Sequence, residues 1–147
     1  MSKKDKRVKQ KESVSSDRTP KTQENPQSWM NWSPSWNFSI CDFDFSKWSI
    51  KKADISNDII PKLCDFEKQK WQEIVQSDGC HWIECHKLCK EAQTRIQSNP
   101  RYREFDSVFS LRLSGRHRLF GYIENGIFYI IWNDPDHEIC PSHKKHT

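Results

Sequence analysis

Residues 107–140 read SVFSLRLSGRHRLFGYIENGIFYIIWNDPDHEIC, and this stretch decides the fold. Apolar and polar residues alternate from Phe109 to Ser114, which predicts a half-buried strand. Arg116–Ile123 predicts a second strand of the same kind. The dipeptide Asn125-Gly126 follows, and it is the strongest short hairpin signal because both residues tolerate positive φ. The next run, Ile127–Trp132, is apolar on both faces, so we expect a central strand.

The segments before this stretch predict one more strand and two helices. Trp36–Ile40 alternates like a strand. Helical spacing of apolar residues predicts a helix over about Asn57–Gln76, capped by Asn57, and a second helix containing Cys85–Ile96. His137–Cys140 is a candidate for a short last strand. The predicted class is α+β, in the order β-α-α-β-β-β(-β), with two helices packed on an antiparallel sheet.

The first 34 residues have the composition of a disordered tail. From Met1 to Met30 there are eight Lys or Arg residues and four acidic ones, and Ser, Thr, Gln and Pro make up most of the remainder. Such a segment has too few apolar residues to form a core. We therefore expect a disordered basic tail over residues 1–34 and a single domain over residues 35–147.

The predicted domain carries no net charge. The whole chain has 24 Lys and Arg residues and 20 acidic residues, so residues 31–147 retain 16 of each. A phosphate-binding site in the domain must therefore be a local cluster of basic side chains, because no overall positive field attracts nucleic acid.

The sequence shows no signal for export or membrane insertion. Its first residues, MSKKDKRVKQ, are not followed by an apolar segment, and the run Ile127–Trp132 is too short to cross a bilayer. Six cysteines in a chain without a signal peptide are typical of reduced thiols. These features predict a cytoplasmic protein without membrane contact.

Three stretches resemble the bacterial RelE/ParE toxin superfamily, and in particular some of its uncharacterised members. They are LCKEAQTRI at residues 88–96, LRLSGRHRLFGY at residues 111–122 and WNDPDHEICPS at residues 132–142. The likeness covers roughly residues 36–147. It implies a domain made of a first strand, two helices and an antiparallel meander of three or four strands, which agrees with the order predicted above.

The resemblance also implies site residues. Arg112 and Arg118 match two basic residues on the central strands that bind and polarise phosphate in ribosome-dependent RNases. Arg116 matches less well, because the turn here is one residue longer. His137 falls where the closing motif of the family carries a basic residue or His. Cys140 departs from the pattern, since those nucleases often have Tyr at that position.

Cleavage of RNA by its own 2′-OH needs a proton acceptor, a proton donor and positive charge at the phosphate, and it needs no metal or other cofactor. Arginine suits the phosphate because its fork is permanently charged. Histidine carries protons near neutral pH. We therefore expect Arg112 and Arg118 to stabilise the phosphate and His137 to act as general acid or base. Expected RNA contacts are Arg116, His117, Lys144 and Lys145.

Each of these assignments has a structural alternative. Arg112 is equally interpretable as a solvated residue on the open face of a sheet. His137 is also interpretable as a loop residue that caps the turn Asp134-Pro135-Asp136. The two aspartates could orient the ring of His137 or raise its pKa. They would also repel RNA, so if they face the groove, binding explains the site better than cleavage.

Two cysteine-based sites are disfavoured. Cys80, Cys85, His86 and Cys89 invite a zinc site, but Cys85 and Cys89 share the i, i+4 spacing of an apolar helix stripe, and no tight C-x2-C pair is present. No metal site is predicted. A nucleophilic Cys140 assisted by His137 is disfavoured because residues three apart in a strand point to opposite faces.

Two functions remain from the sequence. The first is the toxin of a type II toxin-antitoxin system: an mRNA endoribonuclease that acts on ribosome-bound message and is held inactive by a cognate antitoxin protein. The second is a non-catalytic module of the same fold, which inhibits gyrase or serves as a regulated protein-interaction domain. The fold alone does not decide between them.

Overall fold

The computed structural model describes residues 29–141, which form an α+β domain. Five strands make one mixed sheet: β1 (Ser35–Asn37), β2 (His81–Glu84), β3 (Ser107–Ser114), β4 (His117–Glu124) and β5 (Ile127–Asp134). The helices are α1 (Ile60–Phe66), α2 (Trp71–Val75) and α3 (Lys90–Ser98). The predicted α+β class is confirmed. Residues 1–28 of the predicted tail, and Lys144 and Lys145, lie outside the described residues.

The first strand makes the sheet mixed rather than antiparallel. The strand order is β1-β5-β4-β3-β2, and β1 runs parallel to β5 while the other neighbours are antiparallel. The prediction of an antiparallel sheet was wrong for β1. The predicted length of this strand, Trp36–Ile40, was wrong as well, because β1 ends at Asn37. The strand ends early because the side chain of Asn37 accepts a hydrogen bond from the Ser39 N–H at 2.8 Å and turns the chain away.

The three strands of the deciding stretch are confirmed as β3, β4 and β5. The turn between β4 and β5 has Asn125 at φ 53° and Gly126 at φ 79°, as the hairpin signal required. β5 lies between β1 and β4, so the apolar run Ile127–Trp132 occupies an interior strand.

A β-bulge in β5 sets which residues face which core. Phe120 pairs with Trp132, but its neighbour Gly121 pairs with Ile130, so Ile131 is an extra residue on β5. Beyond the bulge the register brings Asp134 opposite Arg118.

The predicted helix over Asn57–Gln76 is two helices, α1 and α2. Its predicted cap was wrong as well, because the side chain of Asp54 accepts from the Asn57 N–H and begins a π-helical turn, Ile55–Ile59, that leads into α1. The break has a visible cause. The first N–H groups of α2 donate outside the helix, from Trp71 to the Trp32 carbonyl at 2.9 Å and from Gln72 to the Met30 carbonyl at 3.0 Å.

The second predicted helix begins later than its apolar stripe suggested. His81–Glu84 is an edge strand paired with β3, and Cys85–Lys87 is a single 3-10 turn before α3. The observed order is therefore β-α-α-β-α-β-β-β. The candidate strand at His137–Cys140 is an irregular segment instead, which follows a turn at Pro135-Asp136.

Helices cover both faces of the sheet. The core on one face contains Leu63, Trp71 and Ile74 from α1 and α2, packed against Phe109, Leu111, Leu119, Phe128 and Ile130. The core on the other face contains Ala92 and Ile96 from α3, with Trp48, Tyr102, Phe120, Trp132 and Ile139. Within residues 29–141, no helix is both long and apolar enough to cross a membrane.

Candidate functional site

Two arginines lie side by side at the end of the β3-β4 hairpin. Arg112 and Arg118 are direct cross-strand partners, so both side chains leave the same face of the sheet. Both donate to one carbonyl, that of Gly115, from Nε of Arg112 at 3.1 Å and from Nη1 of Arg118 at 2.8 Å. The hairpin thus gathers two positive charges around a single backbone oxygen.

The two arginines differ in exposure. Arg118 is only 9% exposed, and burial and then the nearby charge of Arg112 lower its pKa. Arg112 is half-buried, and its Nη1 lies 3.3 Å from the carboxylate of Asp78. Two neighbouring cations, one of them buried, are an arrangement that an added phosphate would stabilise.

The turn after β5 is fastened by Asp134. This residue is fully buried, and its two carboxylate oxygens accept from the N–H groups of Glu138 and Ile139, each at 2.9 Å. Burial raises the pKa of Asp134 in spite of these two donors. Its carboxylate therefore faces the backbone of the turn. Of the two aspartates that could repel RNA, Asp134 is thus turned away from solvent.

His137 projects from this turn in a left-handed conformation, with φ at 60°. Its pKa is lowered, first by burial and next by the charge of Arg118, with a smaller contribution from Arg116. The lowered pKa favours the neutral imidazole, and the charge of Arg118 contributes to this shift. A neutral imidazole beside fixed positive charge can accept a proton while the arginines hold an anion.

A cleft of about 830 Å³ opens beside this turn. Its lining includes His137 and Cys140 from the segment after β5, and Ser110 of β3. Ser110 precedes Arg112 by two positions on the same strand, so both residues are on the same face of the sheet. The cleft is also lined by His81, Trp82, Ile83, Glu84, Lys87 and Pro141.

Two further predicted RNA contacts, Arg116 and His117, lie within the described residues. Arg116 is exposed at the hairpin tip, with Nη2 4.0 Å from the Asp136 carboxylate. His117 precedes Arg118 and so points to the opposite face, where its Nε2 is hydrogen bonded with the Asn133 side chain. Strand alternation therefore separates His117 from the site.

The surroundings of the cysteines do not favour a reactive thiol or a metal site. All six are free thiols. Burial raises the pKa of the Cys140 thiol, which keeps it protonated and poorly nucleophilic at neutral pH. Among residues 29–141, no three His, Cys, Asp or Glu side chains converge in a way that could hold a metal ion.

Sequence reasoning missed His81. The residue lies on β2, a strand that was not predicted because the helical spacing from Cys85 onward favoured a helix in this region. One signal was present: the turn at Asp78-Gly79 is followed by Trp82 and Ile83, an aromatic and a β-branched residue at the start of a new element.

The chain was also compared with known proteins. It matches no protein-family model, no curated protein and no solved structure. The function must therefore be argued from the site itself.

Proposed function

We propose that this protein is a toxin-type endoribonuclease of the RelE/ParE kind, which cleaves ribosome-bound mRNA in the bacterial cytoplasm without a metal. The observation that carries the proposal is the pairing of Arg112 with Arg118 on the face of the sheet that also carries Ser110, together with the cleft that Ser110 and His137 line. A phosphodiester placed there meets fixed positive charge and a neutral base together.

The chemistry follows from these groups. His137 takes the proton of the 2′-OH, and the 2′-oxygen attacks the adjacent phosphorus. Arg112 and Arg118 stabilise the extra negative charge on the phosphate, because oriented charge at a developing anion is usually the largest catalytic effect. Water enters only later, if the cyclic phosphate is opened.

The order of elements supports the RelE-like part of the proposal. A first strand, helices and then an antiparallel meander (β3, β4 and β5) occur in the order that the resemblance implies. The structure differs from that order in two ways, because the first predicted helix is split into α1 and α2 and the edge strand β2 precedes α3.

An antitoxin partner belongs to the same proposal. Arg116 is exposed, and Arg112 is half-buried, two positions along β3 from Ser110, which lines the cleft. An acidic segment laid over Arg112 and Arg116 would neutralise the cluster and close the way to His137.

One observation favours the second candidate, a non-catalytic binding module. Arg118 is nearly buried and donates to the carbonyls of Gly115 and His117, and Arg112 is engaged by Asp78. Such pairing stabilises a hairpin without any substrate. In that case the arginine face serves only to contact a protein.

Expression in bacteria tests the proposal. The full chain is induced without any neighbouring gene, and the 5′ ends of cellular transcripts are mapped for the native protein and for the Arg118→Ala and His137→Ala variants. Arg103→Ala is the matched control, because Arg103 is an exposed arginine outside the cluster. We expect growth arrest with new transcript ends for the native chain and the control, and neither effect for the two variants.

Two results would contradict the nuclease. Growth arrest with intact transcripts would leave the binding module as the explanation. New transcript ends that persist in the His137→Ala variant would remove the imidazole from the chemistry.

A further inference from the structure

A second imidazole faces the same cleft as His137. His81 is the first residue of β2 and the cross-strand partner of Ser110, so its side chain leaves the sheet on the face that carries Ser110 and Arg112. It is exposed, and it lines the cleft together with His137. The edge strand and the turn after β5 thus present two histidines to one space.

RNA cleavage by the 2′-OH needs two proton transfers at separate places. The 2′-oxygen attacks and the 5′-oxygen leaves on opposite sides of phosphorus, so one side chain cannot reach both atoms in the same geometry. A base is needed on one side and an acid on the other. Two histidines that line one cleft from different elements, β2 and the turn after β5, offer such a pair.

We infer that His81 is the general acid of the site and protonates the leaving 5′-oxygen, while His137 acts as the base. This inference rests on the proposed endoribonuclease function. The 2′-OH proton moves to His137, the bond from 2′-oxygen to phosphorus forms, and the bond from phosphorus to 5′-oxygen breaks. The 5′-oxygen takes its proton from His81, and the products are a 2′,3′-cyclic phosphate and a 5′-hydroxyl end.

Ser110 lines the same cleft as the two histidines and is the cross-strand partner of His81. It is 2% exposed. Within the part of the chain that the structure describes, no hydrogen bond engages its hydroxyl. That hydroxyl can donate to a non-bridging phosphate oxygen, on the same strand as Arg112.

The other polar groups that line the cleft are less suited to be the acid. The ammonium of Lys87 is paired with the carboxylate of Glu84 at 3.5 Å. The thiol of Cys140 has a raised pKa, so it gives up its proton less readily. Glu84 itself is exposed and also lies 3.1 Å from His86. His81 is therefore the group that the cleft offers.

The test distinguishes the general acid from the general base by changing the leaving group of the cleaved linkage. A synthetic message is placed on ribosomes in two forms, one natural and one with sulfur in place of the bridging 5′-oxygen at the cleaved linkage. A thiolate leaves without being protonated, so loss of the acid matters only for the natural linkage. The full-length native chain is compared with His81→Asn, His137→Asn and His86→Asn variants.

The expected pattern is specific. His81→Asn slows cleavage of the natural linkage about 100-fold and that of the sulfur linkage only a few-fold. His137→Asn slows both by about 100-fold, and His86→Asn, an exposed histidine outside the cleft, slows neither. A merely structural role for His81 would slow both linkages equally. Thermal unfolding of each variant is measured alongside.

The charged groups around the two imidazoles are Glu84 and Lys87 in the cleft, and Arg116, Arg118, Asp134 and Asp136 near His137. If native protein cleaves and His81→Asn equals it, or is slowed equally on both linkages, the role of His81 is overturned while the nuclease stands. If native protein cleaves neither message, both proposals fall.

Discussion

The carboxylate of Asp42 accepts two hydrogen bonds from the guanidinium of Arg95, at 3.0 Å from Nε and 2.7 Å from Nη2. A third comes from the indole Nε1 of Trp132, at 3.0 Å. Asp42 is only 2% exposed. The residue therefore ties the segment after β1 to α3 and to β5, the strand that ends in Asp134.

Replacing this carboxylate should cost much of the domain's stability. Asp42→Asn removes the charge that compensates Arg95, and breaking a buried pair from one side typically costs about 3 to 5 kcal/mol. We expect the lower end, because the Arg95 side chain is 28% exposed and partly solvated. Urea unfolding measures the effect. Asp65→Asn is the control, since Asp65 is exposed and its 3.9 Å pair with Lys68 should contribute under 1 kcal/mol.

The same carboxylate should govern stability in acid. Burial acts to raise the pKa of Asp42, but the hydrogen bonds from Arg95 and Trp132 outweigh it, so the pKa lies below the ordinary 3.8. Its stabilisation is present above pH 3.8 and is lost as pH falls through the lowered value. Native protein should therefore lose more stability than Asp42→Asn below pH 4, in unfolding midpoints measured across that range. Equal losses would contradict the shift.

The pKa of His137 should depend on Arg118. It lies below the ordinary 6.5, so the native state favours neutral imidazole, and this contribution to stability is present above pH 6.5 and lost as pH falls through the lowered value. Proton NMR of the imidazole should show the pKa rising in Arg118→Ala, because burial is reduced and a like charge is removed. Arg116→Ala should raise it less. An unchanged value in Arg118→Ala would mean that the two groups do not interact.

Lysine should not replace the paired arginines. Arg112→Lys and Arg118→Lys retain charge but lose the planar fork that can hold Gly115 and a phosphate together. We expect ribosome-dependent cleavage to fall about 100-fold or more in either variant. Arg103→Lys should cleave at the native rate. Full activity in both cluster variants would show that charge alone suffices.

Gly79 leaves room for the side chain of Arg112, because it has no side chain of its own. Its φ is +88°, and a methyl group there would come within 2.5 Å of the Cδ atom of Arg112. Gly79→Ala should therefore cost about 1 to 2 kcal/mol for the left-handed backbone and also displace the arginine. Gly115→Ala is the comparison, because its φ is +47° but nothing lies within 4 Å of the added methyl. Equal unfolding free energies for the two variants would mean that Arg112 moves aside without cost.

The meander was predictable because strand signals are local. The alternation from Phe109 to Ser114 predicted β3, and the Asn125-Gly126 turn predicted the hairpin of β4 and β5. The placement of Arg112 opposite Arg118 depends on the register between β3 and β4, which has an irregularity between Arg112 and Ser114. The sequence therefore predicted the strands of that half of the site but not this irregularity.

The other half depends on contacts between distant segments. β2 has four residues, and only its pairing with β3 makes it a strand, so its spacing could not outweigh the helical stripe at Cys85–Ile96. The break between α1 and α2 requires the carbonyls of Met30 and Trp32. His81 was missed for the same reason, because its neighbour in the site is 29 residues away at Ser110.

The parallel pairing of β1 with β5 has a consequence for biosynthesis. Ser35 pairs with Ile127, so β1 can join the sheet only after nearly the whole described chain has been translated. The turn that carries His137 is anchored later still, through the backbone N–H of Ile139. A nascent chain thus lacks the complete sheet face that carries Arg112 and Arg118, and the anchored turn that carries His137, while its earlier helices are already outside the exit tunnel. Any activity that needs this face begins only once translation has passed Ile139.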